Sequence, residues 1–180
     1  MSTMLRRGCW TAAVIVGLTA AVAVSAAFGS AGAGSATIPA QLATVRKALE
    51  RYADVDRALA DGYVEEKVCV THPKWGTMGY HYANPKLLRD RKVNALKPEL
   101  LLYVGTGGGG RKLVGVEYFR ADADQNLKTD SDRPLLFGYP FDGPMPGHAK
   151  GMPRHYDLHV WLWAPNPLGL FAPFNPAVRC

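Results

Sequence analysis

Charge is missing from a long stretch near the start of the sequence. No Asp, Glu, Lys or Arg occurs from Gly8 to Ala36, directly behind Arg6 and Arg7. The run ends in small residues, with Ala31-Gly32-Ala33 and Gly34-Ser35-Ala36 both suited to cleavage. That order and chemistry mark residues 1–36 as a secretory signal peptide. The rival is an uncleaved anchor, since the run is long enough to span a bilayer. Its Ala- and Gly-rich composition and the lack of a charged stop-transfer cluster favour cleavage. No cysteine closes the run, which excludes a lipid-attachment site there.

Cysteine is scarce as well. Only three occur in the 180 residues, and Cys9 leaves with the leader, so Cys69 and Cys180 remain. Two cysteines in an exported chain most simply form one disulfide, closing a loop of about 110 residues. Thiolate ligation of a metal is the alternative. Basic excess is small: without Arg6 and Arg7, 19 basic residues face 15 acidic ones, a net charge of +4. Lys and Arg are not grouped into stripes with interleaved aromatics, which excludes the footprint of a nucleic-acid partner. A membrane partner enters only with an uncleaved leader. The glycine run Gly107–Gly110 lacks the Lys-Ser/Thr and the following helix of a phosphate cradle, and reads as a hairpin connection. Asp122, Asp124 and Asn126 are spaced as in a calcium loop. Leu127 and Arg133 stand where such a loop wants Gly and Glu, so a solvated turn is expected.

What is present begins with one apolar stripe. Ile38, Leu42, Val45, Leu49, Tyr52, Val55 and Leu59 recur at spacings of three and four, which predicts a long amphipathic helix. Pro39 suits its first turn and Asp61-Gly62 its end. Downstream, "LLYVG" and "KLVGVEYFR" are β-prone runs joined by "TGGGG". "PLLFGYPF" reads as a third strand and "HYDLHVWLW" as a fourth. The closing "APNPLGLFAPFNPAVRC" carries four prolines. It is expected as an extended tail packed by Leu168, Leu170, Phe171 and Phe174. The expected fold class is α+β, with the long N-terminal helix on an antiparallel sheet or small open barrel, in a single domain over residues 37–180.

The chemistry sits in the histidines. Beyond the leader, each methionine precedes a histidine by three: Met78 and His81, Met145 and His148, Met152 and His155. Read as a strand, "HYDLHVWLW" puts His155, Asp157, His159, Trp161 and Trp163 on one face. Tyr156, Leu158, Val160 and Leu162 fall on the other, as a core face would. In "KLVGVEYFR", Glu117 stands inside an apolar run, where a carboxylate needs a partner or a cavity. Pairing of these two strands, or their facing each other across a small barrel, would bring Glu117 to the histidine face. Residues four apart in a strand lie about 13 Å apart, so His155 and His159 do not converge on one ion without a bend. On a helix "HYDLH" would echo a zinc-peptidase motif, but it lacks the Glu after the first His.

The phrases "MGYHYANP", "LVGVEYF", "FDGPMPGH" and "HYDLHVWLWAPNP" resemble those of a group of small exported bacterial proteins. The resemblance covers nearly the whole chain after the leader. It implies a bacterial, exported, single-domain protein and implies no activity, ligand or mechanism.

The residues therefore point to a metal-binding protein that is secreted or held in the cell envelope. Candidate ligands are His81, His155, His159 and His148, with Glu117 and Asp157 as ligands or as groups that orient the imidazoles. Methionine and histidine together favour copper, whereas histidine and carboxylate without methionine favour zinc or iron. An open position on a single such ion would activate water or dioxygen, which leaves a mononuclear metalloenzyme and a small-molecule ligand open. The reading from another class is a metal-free binding protein with Trp75, Trp161, Trp163 and Phe171 as an aromatic surface.

Overall fold

Antiparallel pairing dominates the chain. A computed structural model describes residues 38–180; the signal-peptide reading of residues 1–36 lies outside the described residues. Six strands form one sheet in the order β1-β2-β3-β4-β8-β7, curled into a half-barrel. They are β1 (Val64–His72), β2 (Gly76–Ala83), β3 (Leu100–Gly105), β4 (Arg111–Ala121), β7 (Asp142–Met145) and β8 (His155–Val160). A separate two-stranded hairpin joins β5 (Leu135–Leu136) to β6 (Tyr139–Pro140).

The architecture is thus mostly β, which corrects the expected α+β class. Three strands of the sheet, β1, β2 and β7, hid from the hydrophobic pattern. β1 is an edge strand whose Glu65, Glu66 and Lys67 break the apolar alternation, and its Val68 is largely exposed. The expected third strand, "PLLFGYPF", folds back on itself because Phe137 and Gly138 both take positive φ, at 56° and 72°.

The long helix is also interrupted. α1 (Ile38–Leu49) tightens into a 3-10 turn (Glu50–Ala53), Asp54 is extended, and α2 (Val55–Ala60) starts afresh. Asp54 explains the break. Its carboxylate accepts the Asp56 N–H at 3.0 Å and so caps α2, a bond unavailable to a residue inside a continuous helix. The apolar stripe survives across the break. Val45, Leu49 and Tyr52 join one core with Leu101, Tyr103, Val116, Tyr118, Tyr156, Leu158 and Val160 of the sheet. Buried tyrosine hydroxyls donate to backbone carbonyls rather than stay unpaired: Tyr103 to Tyr52, Tyr63 to Pro98 and Tyr118 to Ala95, each at 2.7 Å. A short helix, α3 (Pro85–Asp90), follows β2, capped by the Asn84 side chain.

Beyond β8 the chain has no regular elements. Trp161 N–H donates to Leu170 and its indole N–H to Ala172, which folds the tail back on itself. Asn175 then pairs with Thr77 through both backbone bonds. Gly76 makes this possible: its φ is 96°, and a side chain there would run into the Asn175 carbonyl. Cys180 is bonded to Cys69 of β1, across a sequence separation of 111. No helix among the described residues is long and apolar enough to cross a membrane.

A loop of that length gives the cross-link about 4–5 kcal/mol on the chain-entropy account. Cys69→Ser with Cys180→Ser should therefore lower the melting temperature by on the order of 10 °C. Differential scanning calorimetry of the variant, and of the wild type under reductant, would give matching losses.

Candidate metal centre

The sheet has two faces; α1 packs on one, and α3 lends Leu88 to the other. Directly opposed residues of neighbouring strands share a face. Glu117 of β4 opposes His159 of β8 on one side and Leu100 of β3 on the other. His81 of β2 opposes Leu102 of β3. With strict alternation along each strand, His81, Leu100, Leu102, Glu117, His155, Asp157 and His159 all project from the face opposite α1. Tyr156, Leu158 and Val160 project into the helix-side core. The face expected for "HYDLHV" is therefore the one found as far as Trp161, which is buried. Trp163 departs from it: β8 ends at Val160, and the Trp163 indole donates to Glu50 on the helix side.

Three of the candidate ligands converge. One donor atom each from His81, Glu117 and His159 lies within 4.8 Å of the other two, and this buried group could hold a metal ion. His81 Nε2 is 3.1 Å from Glu117 Oε2, and His159 Nε2 is 3.5 Å from the same oxygen. Two donors about 2.1 Å from one ion at a tetrahedral angle stand about 3.4 Å apart, so both spacings suit a shared ion.

Hydrogen bonding leaves this group unfinished. Six buried atoms in it have no hydrogen-bond partner: His81 Nδ1, Glu117 Oε2, His155 Nε2, Asp157 Oδ1, and both nitrogens of His159. Buried polar atoms are nearly always paired, and a cluster of exceptions calls for an ion or water between them. Asp157 stands beside the group, with Oδ1 3.8 Å from His159 Nδ1 and Oδ2 3.9 Å from His155 Nε2. Both are too long for direct hydrogen bonds. His155 is held apart from the triad: its Nδ1 lies 3.1 Å from the Pro153 carbonyl, and its ring stacks on Phe119. His148 packs edge-on against His155, with ring centroids 5.2 Å apart. The fifth histidine, His72, stacks on Trp75 at another place.

Burial and neighbouring charge set the protonation states. Burial pushes the His159 imidazole down to about 4, with Glu117 opposing only in part. Burial also works against a charged Glu117, yet His159, His81 and His155 outweigh it and hold the carboxyl down at about 2. His81 is opposed by burial too, but the Glu117 carboxylate prevails and raises it above its ordinary value. Asp157 is pushed up to about 8 by burial, then by Glu117 and Asp142. At neutral pH the triad thus offers a carboxylate and a neutral His159, the states that bind cations.

The face is roofed to form a cavity of about 390 Å³. Its floor is His81, Glu117, His159 and Asp157, and its walls are largely apolar, including Leu88, Leu100, Phe119 and Phe174. The methionine of each Met-His pair leads here: Met78, Met145 and Met152 line the same cavity, as do His81 and His148, whereas His155 does not. The aromatic residues considered for a binding surface are engaged separately. Trp75 stacks on His72 and Phe171 on Tyr139, while Trp161 is buried.

Sequence reasoning missed two acids. Glu66, on the edge strand, lines the cavity and adds to the raising of His81. Glu99, immediately before "LLLYVG", is 1% exposed, and its Oε2 accepts the Phe119 N–H at 3.0 Å, tying β3 to β4 two residues beyond Glu117. An acid abutting an apolar run was the available signal.

Burial raises the Glu99 carboxyl to about 8. It is protonated in the folded protein near neutrality and ionised in the unfolded chain. Its contribution is therefore fully present below pH ~4.5 and is lost as pH rises toward 8. Glu99→Gln keeps an acceptor for Phe119 and removes the ionisation. Urea unfolding of chelator-treated protein should show Glu99→Gln gaining on the wild type from pH 5 to 8, by up to about 1.4 kcal/mol per pH unit. A constant difference across that range would count against a buried, neutral Glu99.

Compared with known proteins, no family model, curated protein or solved structure matches the chain.

Proposed function

We propose that this chain is an exported bacterial metal-binding protein in which His81, Glu117 and His159 hold one transition-metal ion at the floor of a cavity. The observation that carries the reading is the cluster of six buried, unpartnered donor atoms around these side chains. An ion pair between His81 and Glu117 alone would leave His159 with two desolvated nitrogens, a cost without compensation. An ion bound by all three would occupy one of those nitrogens, and Asp157, beside His159 Nδ1, would partner the other. The disulfide fits an extracellular or periplasmic setting, where such a bridge persists.

Two nitrogens and a carboxylate alone suit zinc or ferrous iron. Three thioethers on the same cavity wall add soft donors, and they favour copper as the resident ion. Three protein donors leave a coordination position facing the cavity, where a bound ion would activate water or dioxygen. Asp157, close to His159 Nδ1, is placed to take up that N–H as the imidazole becomes a ligand. Its own proton would leave as the ion's charge arrives.

Elemental analysis of the purified, tag-free protein tests the reading. One equivalent of metal is expected, lost in His81→Ala and in His159→Ala. His155→Ala, which removes a neighbour and not a member of the triad, should keep the stoichiometry. Metal-free folded wild type, under conditions where copper, zinc and iron were all supplied, would overturn the proposal.

The pH dependence has a definite sign. His159 is already neutral across the physiological range, so protons compete mainly at His81, whose value lies above the ordinary one. Affinity measured by competition with a chromogenic chelator should fall as pH drops from 8 to 5, approaching tenfold per unit once His81 is protonated. A flat profile would exclude histidine ligation.

A further inference from the structure

The cavity over the triad does not end at its apolar walls. A second cavity of about 610 Å³ adjoins it, and the two share Glu66, Leu88, Phe119, Ala149 and Met152. The outer one adds Arg89, Arg91 and Lys150. None of these three cations makes an ion pair among the described residues, whose Arg pairs are Arg51–Asp61, Arg111–Glu65 and Arg133–Asp130. Glu66 is the only acid on the shared wall. From the inside outward the order is therefore a polar floor, an apolar throat of Leu88, Phe119 and Met152, and a cationic mouth.

That sequence of surfaces has a chemical complement. We infer that the paired cavities take a small molecule with an apolar body and one anionic end, its body in the throat and its charge among Arg89, Arg91 and Lys150. The inference builds on the proposed metal centre, which the buried end of the molecule would face. The inner volume lies in the range of pockets for small ligands and holds roughly a dozen waters, whose release would favour an apolar guest. A cation would meet three like charges at the mouth. A neutral chain would gain the throat but leave the mouth unused.

Isothermal titration of tag-free, disulfide-intact protein, loaded with metal and after chelation, tests this with decanoate, decan-1-ol and decyltrimethylammonium. Decanoate should bind about tenfold more tightly than the cation, the size expected of two or three exposed charge contacts. From hexanoate to decanoate, affinity should rise about fourfold per methylene until the throat is filled. Met152→Glu and Leu88→Glu, both at half-buried positions of the throat, should each weaken decanoate at least tenfold, Leu88→Glu with metal content unchanged. Arg89→Gln with Lys150→Gln should bring decanoate to the level of decan-1-ol. Equal affinity for all three probes, or decanoate binding untouched by both throat variants, would overturn the inference. Binding abolished by chelation yet unaffected by Arg89→Gln with Lys150→Gln would place the carboxylate on the metal and overturn the assignment of the charged end. Decanoate preference in a protein that takes up no metal would sink the metal centre alone, and metal uptake without that preference would sink this inference alone.

Discussion

The register between β4 and β8 is the constraint on which the site depends. Glu117 stands directly opposite His159, and Val116 opposite Val160. Because side chains alternate, a slip of one residue would send His159 into the helix-side core and Leu158 to the cavity floor. The same register that satisfies the apolar core therefore assembles the triad, and neither can be changed without the other. Tyr156, Leu158 and Val160, all fully buried, supply the force that fixes it. His81 then needs only to reach across β3 from β2, past Leu100 and Leu102.

Much of the candidate site could be read from spacing alone. The alternation in "HYDLHV" predicts its face, and the lone acid in "LVGVEYF" is conspicuous because its neighbours are apolar. What spacing could not show was which histidines would meet. His155 and His159 share a strand face yet stay apart, since no bend brings them together, whereas His81 joins from a strand far upstream. The methionines carried a real signal of a different kind. Their recurrence before histidines reflects one cavity lined from β2, β7 and the loop before β8, a placement that only tertiary structure reveals.

The fold was less legible. The apolar stripe is genuine from Leu42 to Val55, where it faces the sheet, whereas Ile38 and Leu59 at its ends are exposed. Periodicity nevertheless registers faces and not continuity, so it passes over Asp54, whose side chain competes with the helix for backbone donors. β1 escaped for the opposite reason. An edge strand with one exposed face and charges near its start obeys no clear alternation, and its membership is decided by the partner β2 and by the bridge from Cys69. The expected pairing of Cys69 with Cys180 did hold, and it followed from compartment and count alone.

The tail does more than close the chain. Phe174 forms part of the cavity wall, the neighbouring Asn175 is laced to Thr77, and Cys180 is fastened to β1. Each of these contacts joins segments about a hundred residues apart, so the wall is complete only once the sheet has formed and the tail has returned to it. Reduction would remove one of the ties that hold the tail to the sheet and leave the Asn175–Thr77 pair. The cross-link is a brace for the segment that carries Phe174, supplied by whichever compartment oxidises the thiols.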